Sequence, residues 1–322
     1  MTDTRSPAEQ TSRLRMSDGA ELFCRRWQPQ PSPAAVSPRG RILALHGIQS
    51  HSGWYGWSSR WLAAAGYDVW FPDRRGSGHS TQPATAAISI DRLTADVIEQ
   101  LGHLRAMEDQ TDNQTGSAAT SPADATDRAG DRKSPLPVFL LGLSWGGRLA
   151  AAVAAAAPGL MDGLILLYPG IVAHVGPSPV QVAALEQFCR FGLGGLKFRI
   201  PLDDPQLFTD DPAAQEFIRT DPLALHKAPA SLLLAGVQLE RRVQHSRFVL
   251  NVPTIQLLAG GDRLIDTPAT RTIIERAAGP RCTTFVYPKA AHTLEFDSNR
   301  EQIFGDLVGW LNRQTTGTAN GS

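Results

Sequence analysis

Three residues set far apart in the chain have the side-chain types that nucleophilic acyl transfer needs: Ser144, Asp262 and His292. Ser144 lies in Gly142–Leu143–Ser144–Trp145–Gly146, between an apolar run at 138–141 and a small, helix-prone run at 148–157. That order predicts a strand, a sharp turn carrying the serine, and a helix. A lone serine hydroxyl is a poor nucleophile. An imidazole titrates near neutrality and can take its proton, while a buried carboxylate fixes the imidazole tautomer and stabilises the imidazolium. Asp262 ends a Gly260–Gly261–Asp262 turn after an apolar strand, and His292 sits in a loop after the next strand. Neighbouring parallel strands put their carboxyl ends on one edge of a sheet, so the order Ser, Asp, His lets the three meet there. Asp266 is the rival acid. Its place ahead of Thr267 and Pro268 suits a helix N-cap, which leaves Asp262 as the preferred partner of the histidine.

The same turn supplies part of an anion site. A helix that begins at the serine directs free N–H groups and its positive dipole end toward the place where an oxyanion would form. The backbone N–H of Trp145 is one candidate donor. The second is that of Ile48, in His46–Gly47–Ile48 just after another apolar strand. Side chains at Gly142 and Gly146 would collide with neighbouring chain. His46 reads as a structural hydrogen-bonder of the oxyanion loop, and Asp73, Arg74 and Arg75 as the ties of the glycine-rich loop 72–80.

These residues require a scaffold of alternating strands and helices. Apolar strands are expected at 41–45, 68–71, 138–141, 164–167, 254–258 and 283–287, with helices at 54–65, 91–107, 268–278 and 301–312. The alternation implies one mostly parallel sheet covered by helices on both faces. A hairpin is expected across Asp18–Gly19. Residues 1–13 and 314–322 read as tails, the first disordered, and 108–135 as a polar, mobile insertion too poor in apolar residues to bury. From 171 to 251 the alternation lapses into helical patches and the ambiguous run 232–235, which predicts a helical lid inserted in a core formed by 14–170 and 252–313.

Composition closes off other readings. The 31 basic residues balance the 31 acidic ones, so no charge pattern favours nucleic acid. Three cysteines far apart, Cys24, Cys189 and Cys282, make neither a disulfide framework nor a zinc site and fit a reducing compartment. With no apolar leader or span in view, the expectation is a cytoplasmic protein. Gly76–Ser77–Gly78 lacks the further glycine or lysine of a nucleotide loop. No cofactor and no metal is expected.

The runs His46–Gly47–Ile48–Gln49–Ser50–His51–Ser52–Gly53–Trp54–Tyr55, Asp73–Arg74–Arg75–Gly76–Ser77–Gly78–His79–Ser80 and Gly142–Leu143–Ser144–Trp145–Gly146–Gly147 together resemble the α/β-hydrolase superfamily. Within it the chain is most similar to the monoacylglycerol lipase/lysophospholipase group, also described as serine aminopeptidase-like hydrolases. The resemblance runs from about Leu14 to Leu311. It implies the α/β-hydrolase fold with an inserted helical lid, Ser144 as nucleophile, Asp262 as acid, His292 as base, and Ile48 and Trp145 as oxyanion donors. The implied activity is hydrolysis of a carboxylic ester of monoacylglycerol or lysophospholipid type, with transient contact between the lid and a lipid surface. The group usually carries His before the nucleophile and Met after it. Leu143 and Trp145 stand there instead, so the acyl pocket is expected to differ in shape. An aminopeptidase, amidase or small-ester esterase would use the same triad, with Glu186, Asp203 and Asp204 as candidate amine binders. A hydrolase-fold binding protein is the non-enzymatic alternative.

Overall fold

A computed structural model of the chain describes residues 7–30, 37–80, 88–107 and 136–317. The insertion expected at 108–135 lies outside the described residues, as do 1–6 and 318–322. One eight-stranded sheet organises the rest. Its strands are β1 (Glu9–Arg15), β2 (Glu21–Trp27), β3 (Gly40–Leu45), β4 (Tyr67–Pro72), β5 (Val138–Leu143), β6 (Gly163–Leu167), β9 (Thr254–Ala259) and β10 (Cys282–Tyr287), in the spatial order β1-β2-β4-β3-β5-β6-β9-β10. The β1–β2 and β2–β4 pairs are antiparallel and every later pair is parallel.

The central strands β3, β4, β5, β6 and β9 are buried along their whole length. That explains why they read as continuous apolar runs rather than alternating ones. Two layers of helix cover the sheet. On one face, α2 (Ile90–Ala106), α3 (Trp145–Ala156) and α7 (Thr267–Ala278) bury Leu93, Val97, Leu149 and Ile274. On the other, α1 (Gly56–Ala64) and α8 (Arg300–Gly317) bury Leu62, Ile303, Leu307 and Trp310. This is the α/β-hydrolase architecture that the sequence resemblance implied.

Two of the expected boundaries move. The hairpin's first strand starts at Glu9 and pairs with β2 through seven residues, so residues 9–13 are strand and not disordered tail. Their apolar content is low, and sheet hydrogen bonds rather than burial hold them. At the other end α8 continues to Gly317, so 314–317 are helix and not tail.

Between β6 and β9 the chain forms α4 (Pro179–Arg190), α5 (Pro212–Thr220), α6 (Ala230–Gln244) and a short antiparallel pair, β7 (Lys197–Arg199) with β8 (Lys227–Pro229). The run 232–235, ambiguous in the sequence, lies inside α6. This helix is not a loose cover. Leu232, Leu239 and Val243 are fully buried in the same cluster as α3, each contributing about 1.5–3 kcal/mol of burial. The stretch expected as lid therefore divides. Its last helix belongs to the core packing, and α4 lies over it through Val182, Leu185, Ala230 and Leu234.

Candidate active site

Strand β5 ends at Leu143 and α3 starts at Trp145, so Ser144 must reverse the chain within one residue. It does so at φ 49°, ψ −120°, a conformation that an L-residue holds only when its surroundings enforce it. They do. The Ser144 N–H donates to Leu167 O at 3.1 Å, and its carbonyl accepts from the N–H groups of Gly147 (2.9 Å) and Gly170 (2.7 Å). The tight turn leaves no room for flanking side chains. A Cβ on Gly142 would lie 2.6 Å from that of Ala150, and one on Gly146 would run into the carbonyl oxygen of Leu45.

His292 reaches the serine from the loop after β10. Its Nε2 is 2.9 Å from Ser144 Oγ and its Nδ1 is 2.7 Å from Asp262 Oδ2. The other carboxylate oxygen of Asp262 accepts the N–H groups of Leu264 (2.8 Å) and Ile265 (3.0 Å). Both side chains are 1% exposed, so the pair works where water does not compete. The three sequence candidates meet. Asp266 instead caps α7 by accepting the Ala269 N–H at 2.9 Å. Two aromatic rings the sequence did not single out border the imidazole. Tyr168 lies edge-on with its centroid 4.8 Å away, and Phe208, from the stretch between β6 and β9, lies at 6.0 Å. Tyr168 also has a positive φ, 37°; its position at the carboxyl end of β6 was the available signal.

The candidate oxyanion loop, His46–Gly47–Ile48, follows β3. A Cβ built on Gly47 would stand 3.5 Å from Ser144 Cβ, so the loop passes directly against the candidate nucleophile. Its orientation is set from behind. Gly47 O receives the His46 Nδ1–H (2.8 Å) and Arg74 Nη1 (3.0 Å), and Ile48 O receives Arg74 Nη2 (3.1 Å). In a trans peptide the N–H of Ile48 points opposite to the Gly47 carbonyl. Pinning that carbonyl therefore aims the candidate donor. His46 Nε2 accepts the Arg74 N–H at 2.8 Å, which fixes its tautomer; burial, reinforced by the Arg74 charge, holds its pKa well below the ordinary value. Arg74 is buried, which pulls its own pKa down to about 9, and its guanidinium stacks 4.6 Å over the Trp145 ring. The sequence assigned Arg74 to the glycine-rich loop; it does bind Ser77 there, and it also braces the oxyanion loop.

Ser144, Ile48 and Trp145 open on a cavity of about 810 Å³ whose walls are largely apolar, with Leu185, Phe188, Leu233 and Val237 from α4 and α6 facing it. Asp203 and Asp204 stand on its rim, but Asp203 pairs with Arg199 and His226, and Asp204 caps the turn at Gln206. Glu186 lies away from it, 3.7 Å from Arg241. Among the described residues no group of three or more His, Cys, Asp or Glu side chains could hold a metal ion, and no helix is long and apolar enough to cross a membrane.

A monoacylglycerol lipase of Mycolicibacterium smegmatis is 26% identical over 91% of this chain and 93% of its own length, and a monoglyceride lipase of Homo sapiens is 27% identical over 98% and 95%. The solved structure of a soluble variant of the Saccharomyces cerevisiae monoglyceride lipase, in complex with a substrate analog, superposes with a TM-score of 0.74 at 20% identity, covering 98% of this chain and 97% of that one. The pattern of the Serine aminopeptidase, S33 family matches residues 36–299. That span runs from the strand before the oxyanion loop to beyond His292, and the chain belongs to this family.

Proposed function

We propose that this protein hydrolyses the carboxylic ester of a monoacylglycerol-type lipid through an acyl-enzyme on Ser144. The observation that carries the reading is the Ser144–His292–Asp262 relay opening on a largely apolar cavity large enough for an acyl chain. The protein is a carboxylic ester hydrolase, and its likeness to monoglyceride lipases over nearly the whole chain supports a glycerol ester as the substrate class, ahead of a lysophospholipid.

His292 Nε2 takes the Ser144 proton as Oγ bonds to the ester carbonyl carbon. The tetrahedral oxyanion is held by the Ile48 and Trp145 N–H groups, at the positive end of α3. The C–O bond to the alcohol breaks as the His292 proton passes to the leaving oxygen. Water then attacks the acyl-enzyme with His292 again as base, and the fatty acid and free serine result. Asp262 keeps the imidazole in register and offsets its transient charge. The part of the stretch between β6 and β9 that precedes α6 acts as the lid. Val180, Phe191, Leu193 and Leu196 lie exposed on it, which supports transient contact with a lipid surface.

An aminopeptidase would need free carboxylates at the cavity to hold a substrate amine; Asp203, Asp204 and Glu240 are engaged with their own neighbours, which favours the ester. The test is a chain-length profile of monoacylglycerol and p-nitrophenyl ester hydrolysis, beside aminoacyl anilides, for wild type and Ser144→Ala. Ester turnover that rises with chain length and vanishes in Ser144→Ala at unchanged melting temperature is expected. Anilide cleavage without ester cleavage, or undiminished turnover in Ser144→Ala, would overturn the reading.

A further inference from the structure

A polar pair interrupts the apolar wall of the cavity where α3 faces α6. On α6, Leu233, Gly236, Val237 and Glu240 fall at i, i+3, i+4 and i+7 and line the cavity as one stripe. The stripe is apolar until Glu240. Opposite it, one turn into α3, Arg148 faces the same space. A guanidinium beside an acyl chain needs a reason, because burying a cation is costly unless it is paired and hydrogen-bonded.

Structure accounts for two of its three nitrogens. Nε donates to Gly170 O at 2.7 Å, and Nη1 donates to Gly236 O and to Glu240 Oε2, both at 3.1 Å, tying α3 to α6. Nη2 donates to nothing among the described residues, although the Arg148 side chain is only 9% exposed. It is not sealed in the protein either: it is absent from the fully enclosed atoms that lack a partner, and the residue that carries it lines the cavity. Glu240 is occupied on both oxygens, Oε2 by Arg148 and Oε1 by Gln244 Nε2 at 3.1 Å, so the oppositely charged pair presents a nearly neutral surface with one spare donor. Its place relative to the serine is defined. The position a Cβ on Gly170 would take is 3.2 Å from Arg148 Nη2 and 3.2 Å from Ser144 O, so the spare donor stands within a side chain's length of the nucleophile's backbone.

We propose that Arg148 and Glu240 form an oxygen-recognising subsite in the acyl cavity, and that the preferred acyl chain carries a hydroxyl, carbonyl or ether oxygen within its first several carbons. This rests on the ester-hydrolase reading above and specifies its substrate. An all-methylene chain threaded along α6 gives Nη2 no acceptor, whereas an oxygen at the right carbon accepts from it. Sites built to bond a polar atom discriminate against the analogue that lacks it. The nearly neutral pair favours a neutral oxygen over a carboxylate.

The test uses p-nitrophenyl esters of one chain length, either all-methylene or with a single ether oxygen moved stepwise from the third to the seventh position. The p-nitrophenol leaving group removes any contribution from glycerol. Each kcat/KM is divided by that ester's own rate of hydroxide hydrolysis, which cancels inductive effects. The expected result is one position preferred about tenfold over the all-methylene ester, with the preference lost in Arg148→Met. A merely structural tie between α3 and α6 would lower all the rates together and leave their ratio untouched. Ratios at or below one at every position, with the all-methylene ester turned over, overturn the subsite and leave the ester hydrolase standing; so does a preference that survives in Arg148→Met. No turnover of any ester would remove both. Should Arg148→Met fail to fold, the wild-type series decides alone.

Discussion

Arg74 Nη1 donates to the carbonyl oxygen of Gly47 at 3.0 Å, and that bond ties a residue of the glycine-rich loop to the peptide plane that carries the Ile48 amide, the candidate oxyanion donor. The peptide plane transmits the orientation. Arg74→Met keeps an unbranched apolar stem of shorter reach but removes both donors and the guanidinium over Trp145. The Gly47 carbonyl then keeps only His46, and the oxyanion loop gains freedom to rotate. kcat should fall by about 10–10², short of the ~10²–10³ typical of losing an oxyanion donor outright, with KM changed far less. Steady-state kinetics on a chromogenic ester checks this; an unaltered kcat would show that the loop holds itself.

Asp262 and Asp266 lie one helical turn apart in sequence and serve different ends. Asp262→Asn places an amide against His292 Nδ1 and favours the tautomer whose Nε2 cannot accept the serine proton, so kcat should drop by about 10⁴ with little loss of stability. Asp266→Ala removes only the cap on Ala269 N–H, costing ~1 kcal/mol of stability and leaving kcat in place. Parallel melting and kinetic measurements separate the two. The reverse pattern would move the acid to Asp266.

Much of this was readable in the chain because backbone chemistry wrote it there. The glycines flanking Ser144, the strand ends carrying Asp262 and His292, and the Thr267–Pro268 helix start are local signals, and the structure builds each of them where the residues indicated. What the sequence concealed depends on contacts between distant segments. Phe208 is near no motif, yet its carbonyl accepts the Thr293 N–H at 2.8 Å and its ring borders His292. α6 looked like lid because it follows a Pro- and Gly-rich stretch, but Leu232, Leu239 and Val243 are held by α3, far earlier in the chain. Arg148 read as one residue of a small-residue helix. Only Gly170, Gly236 and Glu240, gathered from two other segments, give it a role.

Asp221, just past α5, fastens the stretch between β6 and β9 to the loop after β3. It binds His51 Nε2 at 2.9 Å and the Trp54 Nε1–H at 2.6 Å. Burial alone would raise its pKa, but these bonds and the Leu223 N–H outweigh it and hold the carboxyl down at about 2, below its ordinary 3.8. A depressed carboxyl stabilises the fold above its unfolded pKa, and that contribution is lost as pH falls through the folded one. Asp221→Asn should therefore lower the melting temperature at pH 6 and speed proteolytic cleavage within 171–251, with the melting gap to wild type closing as pH is brought from 5 toward 2. A gap that is the same at both ends of that range would mean that the charge of Asp221 does not fasten the segment.

Glu295, three residues beyond His292, behaves in the opposite sense. Its Oε1 accepts the N–H groups of Trp57 and Ser58 at the start of α1, both at 3.1 Å, while Oε2 has no partner. Burial raises its pKa from 4.5 to about 7, against the pull of Ser58, Arg300 and Trp57. The folded state thus holds a proton between these values that the unfolded chain releases, so this group's contribution to stability is greatest below pH 4.5 and declines as pH rises through 7. Glu295→Gln retains the acceptor for the α1 amides and cannot ionise. Its melting temperature relative to wild type should rise between pH 5 and pH 8, by several degrees for a shift of this size. Scanning calorimetry across that range provides the check; a difference that stays flat or narrows toward pH 8 would mean that the carboxyl at position 295 is ionised throughout.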